Sequence, residues 1–111
     1  MSTPSDSAHL DPIALTQVLV RFDTTNPPGN ELQCIEHIRG LLDAAGIQNQ
    51  TFVKTPGCPN LIARLPGDGS AAPLLLQGHV DVVPADQARW QQPPFGGISS
   101  MDSSGDVAHW T

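Results

Sequence analysis

The stretch LLLQGHVDVVP, residues 74–84, decides how the rest of the chain is read. It opens on a continuous apolar run and closes on a proline. A run of this kind reads as a strand buried on both faces, as in a covered, mostly parallel sheet. The pattern predicts that strand over LLLQGHV, residues 74–80. His79 falls at its end and Asp81 lies two positions on. In extended chain, residues two apart point to the same side. An imidazole that binds a metal through one nitrogen needs its other nitrogen held by an acceptor, often a carboxylate. The carboxyl edge of an α/β sheet is also where such folds place their sites. The plainer reading stands beside this one. With four His and nine Asp in 111 residues, chance alone supplies about 0.3 His-x-Asp pairs. A histidine near a strand end is more often a hydrogen-bonded structural residue than a ligand. The surroundings must therefore decide.

Working back toward the amino terminus, a second strand is expected at NLIARL, residues 60–65, ended by the PGDGSAAP loop. A first is expected over about 47–54, in IQNQTFVK, bounded by TPGCP. Before them the apolar period changes from two to about 3.6. Leu32, Ile35, Ile38, Leu41, Leu42 and Ala45 form one helical stripe, with Asn30 placed to cap the helix, Glu31 in its first turn and Gly46 placed to end it. An earlier helix starts at Asp11-Pro12, a good N-cap followed by a residue suited to the first helical position. Leu15, Val18, Leu19 and Phe22 share its apolar face. DTTNPPGN, residues 23–30, is a loop dense in turn formers. Residues 1–10 read as a frayed, disordered polar leader. Helix, helix, strand, strand, strand indicates an α/β domain whose sheet is only beginning to assemble.

Composition narrows the function. The 111 residues carry a net charge of −6 with five Lys and Arg in all. No basic patch exists to neutralise phosphates, so nucleic acid is excluded as a partner, and an anionic membrane surface on the same ground. No apolar run approaches the roughly 18 residues of a membrane span. MSTPSDSAHLDP lacks the basic and apolar regions of a signal peptide, so the expected compartment is the cytoplasm. The two cysteines, Cys34 in a helical segment and Cys58 in a PGCPN turn, are too few for a disulfide framework and are expected to be reduced.

Three stretches together resemble a known family. VRFDTTNPPGNE is similar to its loop between the first two helices, LLLQGHVDVVP to its first metal-ligand strand, and a Trp followed by PPFGG to the segment just beyond. The family is that of the zinc-dependent amidohydrolases and exopeptidases that include acetylornithine deacetylase, succinyl-diaminopimelate desuccinylase, aminoacylase and glutamate carboxypeptidase. The resemblance covers residues 11–97 and implies the N-terminal portion of such a catalytic domain. It implies that His79 is the first zinc ligand. Asp81 would be the aspartate that orients it, counted among the catalytic residues. It also implies two zinc ions in a complete enzyme and a small N-acyl amino acid or peptide as substrate. Asp23 belongs to a family motif and is read as a loop cap. Trp90 and Phe95 are read as packing groups, Asp86 as a solvated loop residue, and His9 and His37 as surface residues. The acyl group, the amino acid and the oligomeric state are not specified by these motifs.

The resemblance also shows what this sequence lacks. The family's bridging aspartate lies in a stretch like GRGxxDMK, some twenty to thirty residues after His-x-Asp, and its general base in a later Glu-Glu pair. Here the only glutamates are Glu31 and Glu36, and there is no GRG. In their place stands ISSMDSSGDVAHWT, residues 98–111, with no strand, helix or turn pattern. The ordinary explanation is a divergent or disordered tail. A sharper one is a frame shift. Back-translated with permitted codons and read from the last base of the Gly97 codon, the tail gives HLVDGLVWGRGALD. Three residues of that reading are forced: Met101-Asp102 yields Gly, His109-Trp110 yields Leu, and Trp110-Thr111 yields the Asp that aligns with the bridging ligand. On this reading Asp102, Asp106, His109 and Trp110 have no selected role. The expectation is then a fragment of an amide hydrolase, inactive alone and holding metal at most weakly at His79. A stable non-catalytic module that binds one metal ion or a protein partner remains as the alternative, as does an unrelated small α/β binding protein.

Overall fold

The computed structural model describes residues 11–99; the leader 1–10 and all but the first two residues of the expected out-of-frame tail lie outside them. The chain divides into two compact units, one of residues 24–84 and one of residues 11–23 with 85–99. Among the described residues the architecture is an incomplete α/β fold of two α-helices and one two-stranded antiparallel sheet.

Helix α1, Pro12–Val20, starts as its sequence dictates. Asp11 is extended and its side chain accepts the Ile13 N–H at 3.0 Å, with Pro12 at the first helical position. Leu15, Val18 and Leu19 are half-buried, none of them fully. In the same unit, Gln17 donates its side-chain amide to the Gly97 carbonyl at 2.9 Å, and Arg21 Nε donates to the Gly96 carbonyl at 3.3 Å. Gly97 sits at φ +63°, and a Cβ there would lie 2.5 Å from the Gln17 carbonyl oxygen. This accounts for the glycine of PPFGG: the backbone comes too close to α1 for any side chain. A short 3-10 turn, Gln87–Arg89, is capped by Asp86, whose carboxylate accepts the Ala88 N–H at 3.1 Å and faces Arg89 at 3.5 Å. Asp86 is solvated, as expected, and caps this turn as well. Trp90 was expected to pack and is instead 43% exposed; Phe95 is half-buried.

In the other unit, helix α2, Leu32–Ala44, packs on the hairpin of β1, Gln48–Thr55, and β2, Cys58–Arg64. Its buried stripe centres on Ile35 and Cys34, while Ile38, Leu41 and Leu42 are half-buried. Asn30 does not cap it. The N-cap is Glu31, which makes no side-chain cap bond; its N–H donates to the Gly57 carbonyl at 3.0 Å. The hairpin turn thus supplies an acceptor that the local sequence was expected to supply. Gly46, at φ +71°, ends the helix as expected, and the Ile47 N–H reaches back to the Leu42 carbonyl. Asn49 ties the helix to β1: it donates to Asp43 at 2.6 Å and accepts from Arg39 at 3.2 Å.

β1 and β2 pair from Gln48↔Arg64 to Thr55↔Cys58, with an irregularity between Val53 and Thr55. The link is only Pro56-Gly57, and so short a connection permits an antiparallel pair and not a parallel one. Cys58 begins β2 rather than lying in a turn, and both cysteines are free thiols. The third strand forms no ladder. Residues 74–80 carry no strand assignment, and Leu74, Leu75 and Leu76 are 83–84% exposed. A strand apolar on both faces needs layers above and below it and partners on each side. Among the described residues none pairs with residues 74–80.

Gly97→Ala tests the reading of PPFGG. A left-handed alanine costs about 1–2 kcal/mol before its clash with Gln17 is counted. The expected outcome is cleavage by trypsin after Arg21 accelerated by roughly tenfold, as α1 loses its grip on the 96–97 carbonyls. An unchanged cleavage rate would show that the close approach does not hold the helix.

Candidate functional site

The site lies within the unit of residues 24–84 and is built on a short parallel pairing between the 24–26 loop and the segment that follows His79. The Asn26 N–H donates to the Val82 carbonyl at 2.7 Å, and the Val82 N–H donates to the Thr24 carbonyl at 3.1 Å. The Thr24 hydroxyl donates to the Val80 carbonyl at 2.6 Å, and Thr24 is only 3% exposed. A buried hydroxyl and two backbone amides thus tie residues 80–82 to the 24–26 loop. The loop itself is closed by the Gly29 N–H on the Thr25 carbonyl at 2.9 Å.

The His79 and Asp81 side chains meet on one side of the segment. His79 Nδ1 lies 2.9 Å from Asp81 Oδ1 and 3.1 Å from the Asp81 carbonyl oxygen. Both neighbours are acceptors, so the geometry suits a donating Nδ1–H, the tautomer whose free lone pair is on Nε2. The imidazole is 84% exposed and the carboxylate 38%. The second oxygen of Asp81 accepts the Asn26 side-chain amide at 3.2 Å. The Asn26 hydrogen bond first, and then that of His79, hold the Asp81 carboxyl below the usual carboxylate range.

His79 and Asp81 line a cleft of about 440 Å³ together with Glu31, Cys58, Ile35 and Leu61. Glu31 is buried, and its Oε2 has no hydrogen-bond partner among the described residues. The Cys58 thiol is held up chiefly by its hydrogen bond to Glu31, with burial and the Glu31 and Asp81 charges adding to the effect. A thiol so placed stays protonated and is a poor nucleophile. Glu36 pairs with Arg39 at 3.3 Å on the exposed face of α2. His37 is half-buried on the same helix rather than on the open surface, and His9 lies outside the described residues. Sequence reasoning singled out Asp23 in the loop and passed over Thr24 and Asn26, whose hydrogen bonds grip the 80–82 segment. The signal for them was the run of short polar side chains in DTTN, ahead of prolines that give no amide of their own.

A protein zinc site takes about four ligands, or three and a water, from His, Cys and carboxylates. Among the described residues no group of three or more His, Cys, Asp or Glu side chains is gathered so that it could hold a metal ion. His79 offers one nitrogen, and Asp81 is engaged by His79 and Asn26. The described residues therefore do not complete a zinc site. Among them, too, no helix is long and apolar enough to cross a membrane.

Comparison with known proteins gives consistent relatives. Over 93 residues, 78% of this chain, the sequence is 43% identical to the succinyl-diaminopimelate desuccinylase of Methylobacterium nodulans, of which it spans 22%. It is 43% identical over 90 residues to the same enzyme of Cereibacter sphaeroides, covering 79% of this chain and 23% of that one. It is 34% identical over 97 residues to the N-formyl-4-amino-5-aminomethyl-2-methylpyrimidine deformylase of Halalkalibacterium halodurans, again covering 79% and 23%. The chain thus spans under a quarter of the length of these curated relatives. No family model and no solved structure matches it.

The lowered Asp81 carboxyl sets a pH dependence. A depressed carboxyl stabilises the folded arrangement above its unfolded value, and that contribution is lost as pH falls through the folded value. The contacts around residues 79–82 are expected to persist through neutral pH and to loosen only below about pH 4, the ordinary aspartate range. Asn26→Ala removes the leading cause and moves the loosening to higher pH. Chemical shifts of the Val80 and Val82 amides, followed from pH 7 to 2 in both forms, report it; coincident curves would show that Asn26 does not act on Asp81.

Proposed function

Since this chain belongs to the amidohydrolase family that includes the succinyl-diaminopimelate desuccinylases, we propose that it is the opening segment of a cytoplasmic, zinc-dependent hydrolase of amide bonds in N-acyl amino acids or small peptides. The observation that carries the reading is the His79–Asp81 pair, with Nδ1 beside the carboxylate at 2.9 Å, which leaves Nε2 to offer its lone pair. That is the state a histidine needs to ligate a metal. His79 is proposed as a zinc ligand and Asp81 as the residue that orients it. The relatives support the reaction class, since their names describe removal of succinyl and formyl groups. The substrate is proposed to be small and acylated, with no part for nucleic acid.

The chain alone is proposed to be inactive. Its described residues gather no group of three or more metal donors where several are needed, and its only glutamates are Glu31 and Glu36, with no adjacent pair to act as base. Residues 98–111 are proposed to be read out of frame. A second reading, a non-catalytic module that binds a partner, is favoured by one observation: the open leucine run at 74–76.

The purified 111-residue chain with added zinc is expected to release no amine from N-succinyl or N-acetyl amino acids above the zinc blank, and turnover that a chelator abolishes would overturn the claim of inactivity. Size-exclusion separates the two readings: aggregation supports the segment, and a compact monomer or defined complex supports the module. Sequencing the genomic DNA from the Pro93 codon onward tests the frame. The expected result is a next frame that continues into DMK and, later, a Glu-Glu pair.

A further inference from the structure

Asp81 has two oxygens and the structure gives each a different donor. Oδ1 faces His79 Nδ1 at 2.9 Å and Oδ2 accepts the Asn26 side-chain amide at 3.2 Å. A carboxylate that is 38% exposed is open to water and turns about a broad, roughly two-fold torsion. One hydrogen bond to a mobile imidazole does not fix it; a second donor on the opposite oxygen does. That donor must itself be fixed, and it is: the Asn26 N–H is bound to the Val82 carbonyl at 2.7 Å, one residue beyond Asp81. The side chain that orients Asp81 is therefore mounted on backbone already paired with the Asp81 segment, and the buried Thr24 hydroxyl on the Val80 carbonyl closes the other side.

We infer that Asn26 is a positioning residue: its amide locks the Asp81 carboxylate so that Asp81 accepts the hydrogen bond from His79 Nδ1–H and the ring's free lone pair is left on Nε2. The residue type follows from the task. The amide donates and carries no charge, so it fixes a carboxylate without neutralising it, whereas an aspartate at 26 would face Asp81 with no proton to give. The purpose of the arrangement rests on the proposed role of His79 as a ligand; its geometry does not.

The test is the tautomer ratio of His79, read from nitrogen–proton correlations of the full 111-residue chain with labelled histidine. His79→Gln identifies the signal, and solid-state nitrogen spectra of the same chain read the same ratio if it associates. The wild-type ring is expected mainly in the Nδ1–H form, the reverse of free imidazole side chains. Asn26→Ala is expected to lower the ratio of Nδ1–H to Nε2–H by about threefold to tenfold, the worth of one hydrogen bond. Asn26→Asp lowers it further, and Asn30→Ala, an exposed change in the same loop, leaves it unchanged. A merely structural role would make the two Asn26 variants alike. The inference is overturned by a wild-type ratio equal to that of a free imidazole, by an unchanged ratio in Asn26→Ala, or by an equal loss in Asn30→Ala. None of these readings needs metal or turnover, so an inactive chain bears on the proposed function and not on this inference.

Discussion

The arrangement of the site depends on three hydrogen bonds between residues 24–26 and residues 80–82. Two are backbone amides exchanged between Asn26, Val82 and Thr24, and the third is the buried Thr24 hydroxyl on Val80. These residues lie more than fifty positions apart, so the contact carries a closure cost in chain entropy. What it secures is the geometry of Asp81 and, through it, of His79. Without it the imidazole and carboxylate would be two polar groups on an open strand. With it the imidazole nitrogen and the carboxylate oxygen meet at 2.9 Å in a defined direction.

The same segment shows what happens where no such contact exists. Only a few residues before His79, the three leucines at 74–76 stand almost fully exposed. The hairpin of β1 and β2 packs against α2, but a two-stranded sheet is marginal without further strands. The described core is small, centred on Cys34 and Ile35. An apolar strand that finds no neighbour is a liability for association, and it fits a chain that spans under a quarter of the length of its relatives.

Much of this was legible beforehand, and the reasons differ from residue to residue. Asp11-Pro12 and Gly46 act locally, through a cap and a positive φ, so sequence sufficed to place the ends of α1 and α2. The apolar stripe of α2 was readable from its period. The cap of α2 was not, because its acceptor is the Gly57 carbonyl, supplied by a turn more than twenty residues away. The leucine run reads as a buried strand from its continuous apolar pattern, but burial is a property of neighbours, and here the described residues supply no paired strand. At the site, the His-x-Asp spacing announced the pair. Thr24 and Asn26 went unnoticed because their roles exist only once the loop lies beside residue 82.

Amide hydrogen exchange measures the pairing of the loop with the His-x-Asp segment directly. The Asn26 and Val82 amides, which donate across the pairing, are expected to exchange at least about tenfold more slowly than the amides of Leu74, Leu75 and Leu76, which belong to no ladder. Equal exchange at all five positions would mean that the loop does not hold the segment, and the account of the site would fail with it.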